Sequence, residues 1–189
     1  ATLGTYKAFQ SVWINKVFNE NLKISLLFLN LGKQAIDQSN GSYWDNYTQT
    51  FGTHTRYRTE KISVIFNGYY QVGKTNETTA NDVSAYNVGL NLNYKLSKNY
   101  DLSLGYELLS GNSQMDTTPD YVADQHAFNP YFGTNHKFNG YMDYFCVGNW
   151  SGSVGLQDIA LKLKYRKKKA FLGLDAHIFM AAAKVFDSF

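Results

Sequence analysis

Nowhere in this chain do about 20 apolar residues follow one another, the length a membrane-crossing helix needs. The densest apolar patch, Ile24 to Leu31, is already broken by Ser25 and Asn30. With 44% hydrophobic residues, a helical membrane protein is excluded. Proline is nearly absent: there are two, Pro119 and Pro130, both in one long polar stretch. Cysteine is reduced to Cys146, which excludes an internal disulfide framework and says little about compartment. The net charge of +3 is too weak to point to nucleic acid. The chain opens on Ala1 with neither an initiator Met nor a signal peptide, so the expectation is a removed leader or a piece of a longer chain.

What is abundant is aromatic. Sixteen per cent of the 189 residues are Phe, Trp or Tyr, a bias that suits sheets better than helices. The stretch from Asp82 to Ser110 organises the rest. Tyr86, Val88, Leu90, Leu92, Tyr94 and Leu96 fall on one face of an extended chain, and Asn87, Gly89, Asn91, Asn93 and Lys95 on the other. The tight polar turn Ser97-Lys98-Asn99-Tyr100 follows. A second alternation then sets Leu102, Leu104, Tyr106 and Leu108 against Asp101, Ser103, Gly105 and Glu107. Period two with one apolar and one polar side means two strands, and the short turn makes them an antiparallel hairpin.

Other segments carry the same period. Thr5 to Asn15 alternates less cleanly, and Phe18 to Asn21 is a turn. In the strand Leu22 to Leu31, Leu27, Leu29 and Leu31 make the second face apolar as well. Gly32 to Thr50, rich in Asn, Gln, Ser and Tyr, reads as a long loop before a short strand near Phe51 to Thr59. Lys61 to Val72 is a strand and Gly73 to Asp82 a medium loop. Gly111 to Gly155 is the longest irregular stretch, of the kind that is usually functional or disordered. Ile159 to Tyr165 alternates again, Arg166 to Lys169 is a basic turn, and Ala170 to Met180 is the last strand.

The connections therefore run short, long, short, medium, short, very long, short. Short turns at one end and long loops at the other, joining strands of about ten residues, is the pattern of a transmembrane barrel. The expected fold is all-β: an antiparallel up-and-down transmembrane β-barrel in a single domain, 1–189, with about eight strands and long loops at 32–50 and 111–155. Its apolar face meets lipid, its polar face lines a wet lumen, and Tyr57, Tyr94, Tyr100 and Tyr165 mark the interface. A soluble β-sandwich or lipocalin-like barrel shares the period but packs the apolar face inward.

The segment Tyr131-Phe132-Gly133-Thr134-Asn135-His136-Lys137-Phe138-Asn139-Gly140-Tyr141-Met142-Asp143-Tyr144-Phe145 resembles the long loop of bacterial alginate-export-type outer-membrane barrels. Val147-Gly148-Asn149, Gly155-Leu156-Gln157-Asp158 and Leu29-Asn30-Leu31-Gly32-Lys33-Gln34 are similar to the same family. The match is specific in the loop and generic in the strands. The resemblance implies the bacterial outer membrane, porin-like transport and export of an anionic polysaccharide, and a chain longer than this one. An eight-stranded barrel is just wide enough for its own side chains. Asn87, Gly89 and Asn91 leave space, which fits part of a larger barrel.

The polar face carries the candidate pore-lining residues His54, Arg56, Arg58, Lys95, Glu107, Lys162 and Lys164, with Lys7, Lys23, Asp101, Asp158 and Asp175. Basic groups outnumber acidic ones, and rings of Arg and Lys select anions. Lumen charges of both signs also arise simply to solvate a channel and pair across strands. Arg56 and Arg58, extended by His54, form the best candidate ladder for a carboxylated polymer. Tyr131, Phe132, His136, Lys137, Phe138 and Tyr141 are the candidate constriction, if the long loop folds inward rather than capping the outside.

His126, His136, Asp124 and Asp143 match no metal-ligand spacing, and no cofactor is expected. Asp175 and His177 are accompanied by no nucleophile motif, so no catalytic residue and no enzyme activity is expected. The expected function is a channel for hydrophilic solutes, with outer-membrane lipid and a hydrophilic or anionic saccharide as partners. A small structural or adhesive barrel, a barrel enzyme and a soluble carbohydrate-binding sandwich are the alternatives.

Overall fold

The computed structural model describes residues 6–36, 40–75, 81–131 and 153–186. Its strands are β1 (Tyr6–Val17), β2 (Leu22–Ile36), β3 (Tyr43–Arg58), β4 (Ile62–Lys74), β5 (Asp82–Lys95) and β6 (Tyr100–Leu109). One helical turn, α1 (Pro119–Val122), and a two-residue strand, β7 (Asp124–Gln125), precede β8 (Leu156–Lys167) and β9 (Ala170–Met180). All join one sheet in the order β1-β2-β3-β4-β5-β6-β8-β9. Every neighbour along that order is antiparallel, and β7 alone runs parallel, beside the start of β5. Among the described residues the sheet is an up-and-down meander that does not close: β1 and β9 are its edges.

Local chemistry fixes the four short turns. Asn19 Oδ1 accepts from the N–H of Asn21 at 2.9 Å and of Leu22 at 2.8 Å. Thr59 Oγ1 accepts from Ile62 N–H at 3.0 Å, and Ser97 Oγ from Asn99 N–H at 3.2 Å. Such side-chain turns substitute for ladder bonds where the chain reverses. The last turn is only two residues long, and Lys168 takes φ 53° to make it.

Because directly paired residues share a face, the register sorts the side chains. One row runs Ser25, His54, Asn67, Gly89, Glu107, Asp158 across β2 to β8 and is polar throughout. The opposite face is apolar and uncovered. Leu90 is 44% exposed, Leu104 50% and Leu174 67%. A cluster of buried apolar side chains, Val83, Ala85, Leu109 and Phe128 with Tyr69 and Leu156 against it, lies on the polar face instead, at the end away from the short turns. On that face the ring of Tyr69 covers Gly52, whose Cβ would stand 2.5 Å from it, so the glycine makes room for an aromatic from the next strand.

The sequence expectation of a loop over 32–50 is corrected here. β2 continues to Ile36 and β3 begins at Tyr43, paired residue for residue from Ile36↔Tyr43 onward. The segment misleads because both of its faces are largely polar. On one side Asn46, Thr48 and Thr50 are buried; on the other Asp45 and Gln49 alternate with tyrosines. Hydrogen-bonded pairing, not hydrophobic alternation, makes it strand. Residues 111–155 are largely irregular where described, interrupted by α1 and β7.

Candidate functional site

The site is the polar face, where five strands contribute to one cleft of about 150 Å³ over Gly89, Gly105 and Ala160. Its walls are hydrogen-bonded across strands. Asn87 Nδ2 donates to Glu107 Oε1 at 3.2 Å, and farther along the same face, outside the cleft, Ser103 Oγ donates to Asn93 Oδ1 at 2.6 Å. His177 Nδ1 lies 2.9 Å from Asp158 Oδ1 and 3.1 Å from Oδ2. Lys162 Nζ stands 3.5 Å from Asp175 Oδ2, which balances charge although that oxygen has no hydrogen bond of good geometry.

The sequence-derived pore residues divide into two groups. His54 Nδ1 is 2.6 Å from Asn67 Oδ1, Glu107 is held by Asn87, and Lys162 faces Asp175. Arg56, Arg58, Lys95 and Lys164 make no ion pair among the described residues, although Lys95 and Lys164 both stand opposite Asp101, whose carboxylate is taken by Arg166. Arg56 is paired in register with Lys23 on the same face, so two cations sit side by side near the short turns. Lys7 forms an ion pair with Asp45 at 3.7 Å.

The long loop turns onto this face. Gln71, 2% exposed, donates from Nε2 to Asn129 O at 2.6 Å and accepts from Asn129 N–H at 2.9 Å. Ser110 Oγ donates to His126 O at 2.6 Å, and Ser110 O accepts from Phe128 N–H at 3.1 Å. Phe128 is thereby pressed into the buried cluster, and Tyr131 lies with its ring centroid 5.5 Å from Lys33 Nζ on β2. Phe132, His136, Lys137, Phe138 and Tyr141, the rest of the expected constriction, lie outside the described residues. Of the weighed metal residues, His126 is stacked on Tyr121 with its Nε2 3.2 Å from Tyr121 O, while His136 and Asp143 lie outside the described residues. Farther out, two hydrogen bonds from Thr118, hydroxyl and backbone, hold the Asp116 carboxyl below the ordinary carboxylate range.

The sequence offers Asp175, two residues away on its own strand, as a neighbour for His177, a dyad that no nucleophile motif completes. The structure pairs His177 with Asp158 across the ladder. The signal was available, since both alternate on the polar face of neighbouring strands. The Gln71–Asn129 clamp had none: nothing in a strand glutamine tells which loop amide will meet it 58 residues later.

No family model, curated protein or solved structure matches this chain.

Proposed function

We propose that this sheet is part of the wall of a transmembrane β-barrel in a bacterial outer membrane, with its polar face lining a channel for hydrophilic solutes. The observation that carries the reading is the uncovered apolar face. On β5 it reads Tyr86, Val88, Leu90, Leu92, Tyr94, aliphatics bracketed by tyrosines. At 3.3–3.4 Å per residue the two tyrosines are roughly 27 Å apart along the strand, or about 20 Å in height at a 40° tilt. An outer-membrane apolar band is about 25 Å tall, with aromatic girdles at both edges. The aromatic row Phe28, Phe51, Tyr70, Tyr86 crosses four strands toward the loop end, and Tyr100 and Tyr165 meet at 4.8 Å near the turn end. A soluble sandwich buries such a face; here it has no partner layer among the described residues.

In lipid an open edge leaves backbone groups without partners, so the reading requires further strands beside β1 and β9. The loop docked on the polar face narrows the path on that side. The resemblance to alginate-export-type barrels supports an acidic polysaccharide as solute, and the cationic residues Lys23, Arg56 and Arg58 suit a carboxylate. The test is conductance of the full-length protein in planar bilayers. Discrete steps are expected; a protein that stays monodisperse without detergent and gives no steps refutes the channel.

A further inference from the structure

Gly89 lies in the interior of β5, where a glycine weakens a strand. Its backbone is not left-handed, and an added Cβ would meet nothing nearer than Asn67 Nδ2 at 3.7 Å. Neither conformation nor packing asks for glycine at this position. What it leaves is space, the floor of the cleft. A water takes about 30 Å³ in the liquid, so 150 Å³ holds roughly five, the scale of one sugar ring.

The walls select by chemistry. Glu107 and Asp158 are register partners, so two carboxylates stand side by side and repel an anion. Lys162 and His177 line the same cleft, and among the described residues no group of acidic, His or Cys side chains is arranged to hold a metal ion. An apolar ligand would strand these polar groups. A hydroxyl suits both kinds of wall, donating to a carboxylate while accepting from an ammonium or an amide N–H. Each carboxylate oxygen has two acceptor positions, so the bond from His177 does not exhaust Asp158.

We infer that the cleft floored by Gly89, Gly105 and Ala160 is a binding subsite for a neutral polyhydroxylated ring, such as one pyranose unit of a saccharide. Vicinal hydroxyls donate to Asp158 and accept from Lys162 and Asn91. The proposal rests on the channel reading only for how the sugar arrives; it is independent of the acidic solute, whose uronate units this cleft disfavours and the cationic turn end suits.

The test uses the full-length protein in detergent micelles, with methyl glucoside as neutral probe and glucuronate as its charged counterpart, followed by saturation-transfer NMR. Saturable binding of the glucoside, weak and roughly millimolar for a few exposed hydrogen bonds, is expected, with glucuronate bound more weakly. Gly89→Leu should fill the floor and weaken the glucoside at least tenfold. Asn91→Leu fills it from the neighbouring inward position and carries the test should the first variant not fold. Equal or tighter binding of glucuronate, absence of saturable glucoside binding, or folded variants that bind as the wild type does would each overturn the subsite. Bilayer conductance is read separately: a wild type that binds the glucoside without conducting loses the channel and keeps the subsite.

Discussion

Gln71 has almost no access to water, yet both ends of its amide are used, one on the carbonyl and one on the N–H of Asn129. Removing it leaves those two backbone groups without partners, a cost of about 1–3 kcal/mol each where water cannot replace the bond. Gln71→Leu should therefore release the 126–131 segment while the meander stays paired. Hydrogen exchange at the Asn129 amide should speed up about tenfold or more, with amides of β4 and β5 unchanged; equal protection in the variant would deny the clamp its role. Arg56 and Arg58 pose a different question. In register with Lys23 and Ser63 and with no carboxylate within reach among the described residues, they project a positive field that salt bridges elsewhere on the face have cancelled. If the polar face lines a channel, replacing both with Gln should shift the reversal potential under a salt gradient toward cations and leave folding intact, because lumen positions of such a barrel carry little of the lipid-facing energy. An unchanged potential removes them from selectivity. His54, the third rung of the ladder expected from sequence, lies with its Nδ1 2.6 Å from Asn67 Oδ1.

A strand with two unlike faces gives a sharper test than any single contact. Leu90 and Asn91 are neighbours on β5 with opposite directions. Leu90→Arg places a cation at the middle of the apolar face, which costs roughly 2–4 kcal/mol in a bilayer; Asn91→Arg places it in water. The first variant should lower unfolding stability in lipid vesicles by that amount and the second should stay close to wild type. Equal effects would argue against lipid on the apolar side. The same two-faced rule explains what the sequence could and could not disclose. Where a strand crosses the apolar band, as from Tyr86 to Tyr94, alternation identifies it, its partner and its facing. Where β2 and β3 run on beyond that band, both faces turn polar and the alternation vanishes, although the ladder from Ile36↔Tyr43 down is unbroken. The inward turn of the loop was legible only as an alternative, because burying Phe128 depends on a socket formed by Val83, Ala85 and Leu109 from two different strands. The cleft was legible in part: Asn87, Gly89 and Asn91 announced space, but not that Asp158 and His177 would wall it.

At the scale of the whole molecule the charges are sorted by end. Lys16, Lys23, Arg56, Arg58, Lys61, Lys95, Lys98, Lys164 and the run Arg166 to Lys169 stand at or near the four short turns, against Glu20, Glu60 and Asp101. Toward the loop end Asp45, Asp82, Asp116, Asp120 and Asp124 stand with Lys7, Lys33, Lys74 and Lys184, a near balance among the described residues, with Lys7 and Lys74 paired to the first two acids. A net charge of +3 hides this separation. The strands put roughly 30 Å between the two sets, whereas the Debye length is about 10 Å at 0.1 M salt, so each mouth acts on ions by itself. If this sheet lines a channel, the turn-end mouth favours anions and the loop-end mouth favours neither ion. With the loop side positive, anions enter through the basic mouth and accumulate in the lumen. With the polarity reversed, anions must enter through the balanced mouth, where nothing concentrates them, and the lumen is depleted. Current should therefore be larger when the loop side is positive, in symmetric salt and with one orientation of insertion. At 1 M salt the Debye length falls to about 3 Å and the asymmetry should fade toward an ohmic line. Replacing Arg56, Arg58 and Lys95 with Gln should weaken the asymmetry at 0.1 M without abolishing conductance. A straight current–voltage line at 0.1 M would mean that the charges sorted by the meander do not reach the permeating ions, and that the basic turns serve the membrane surface instead.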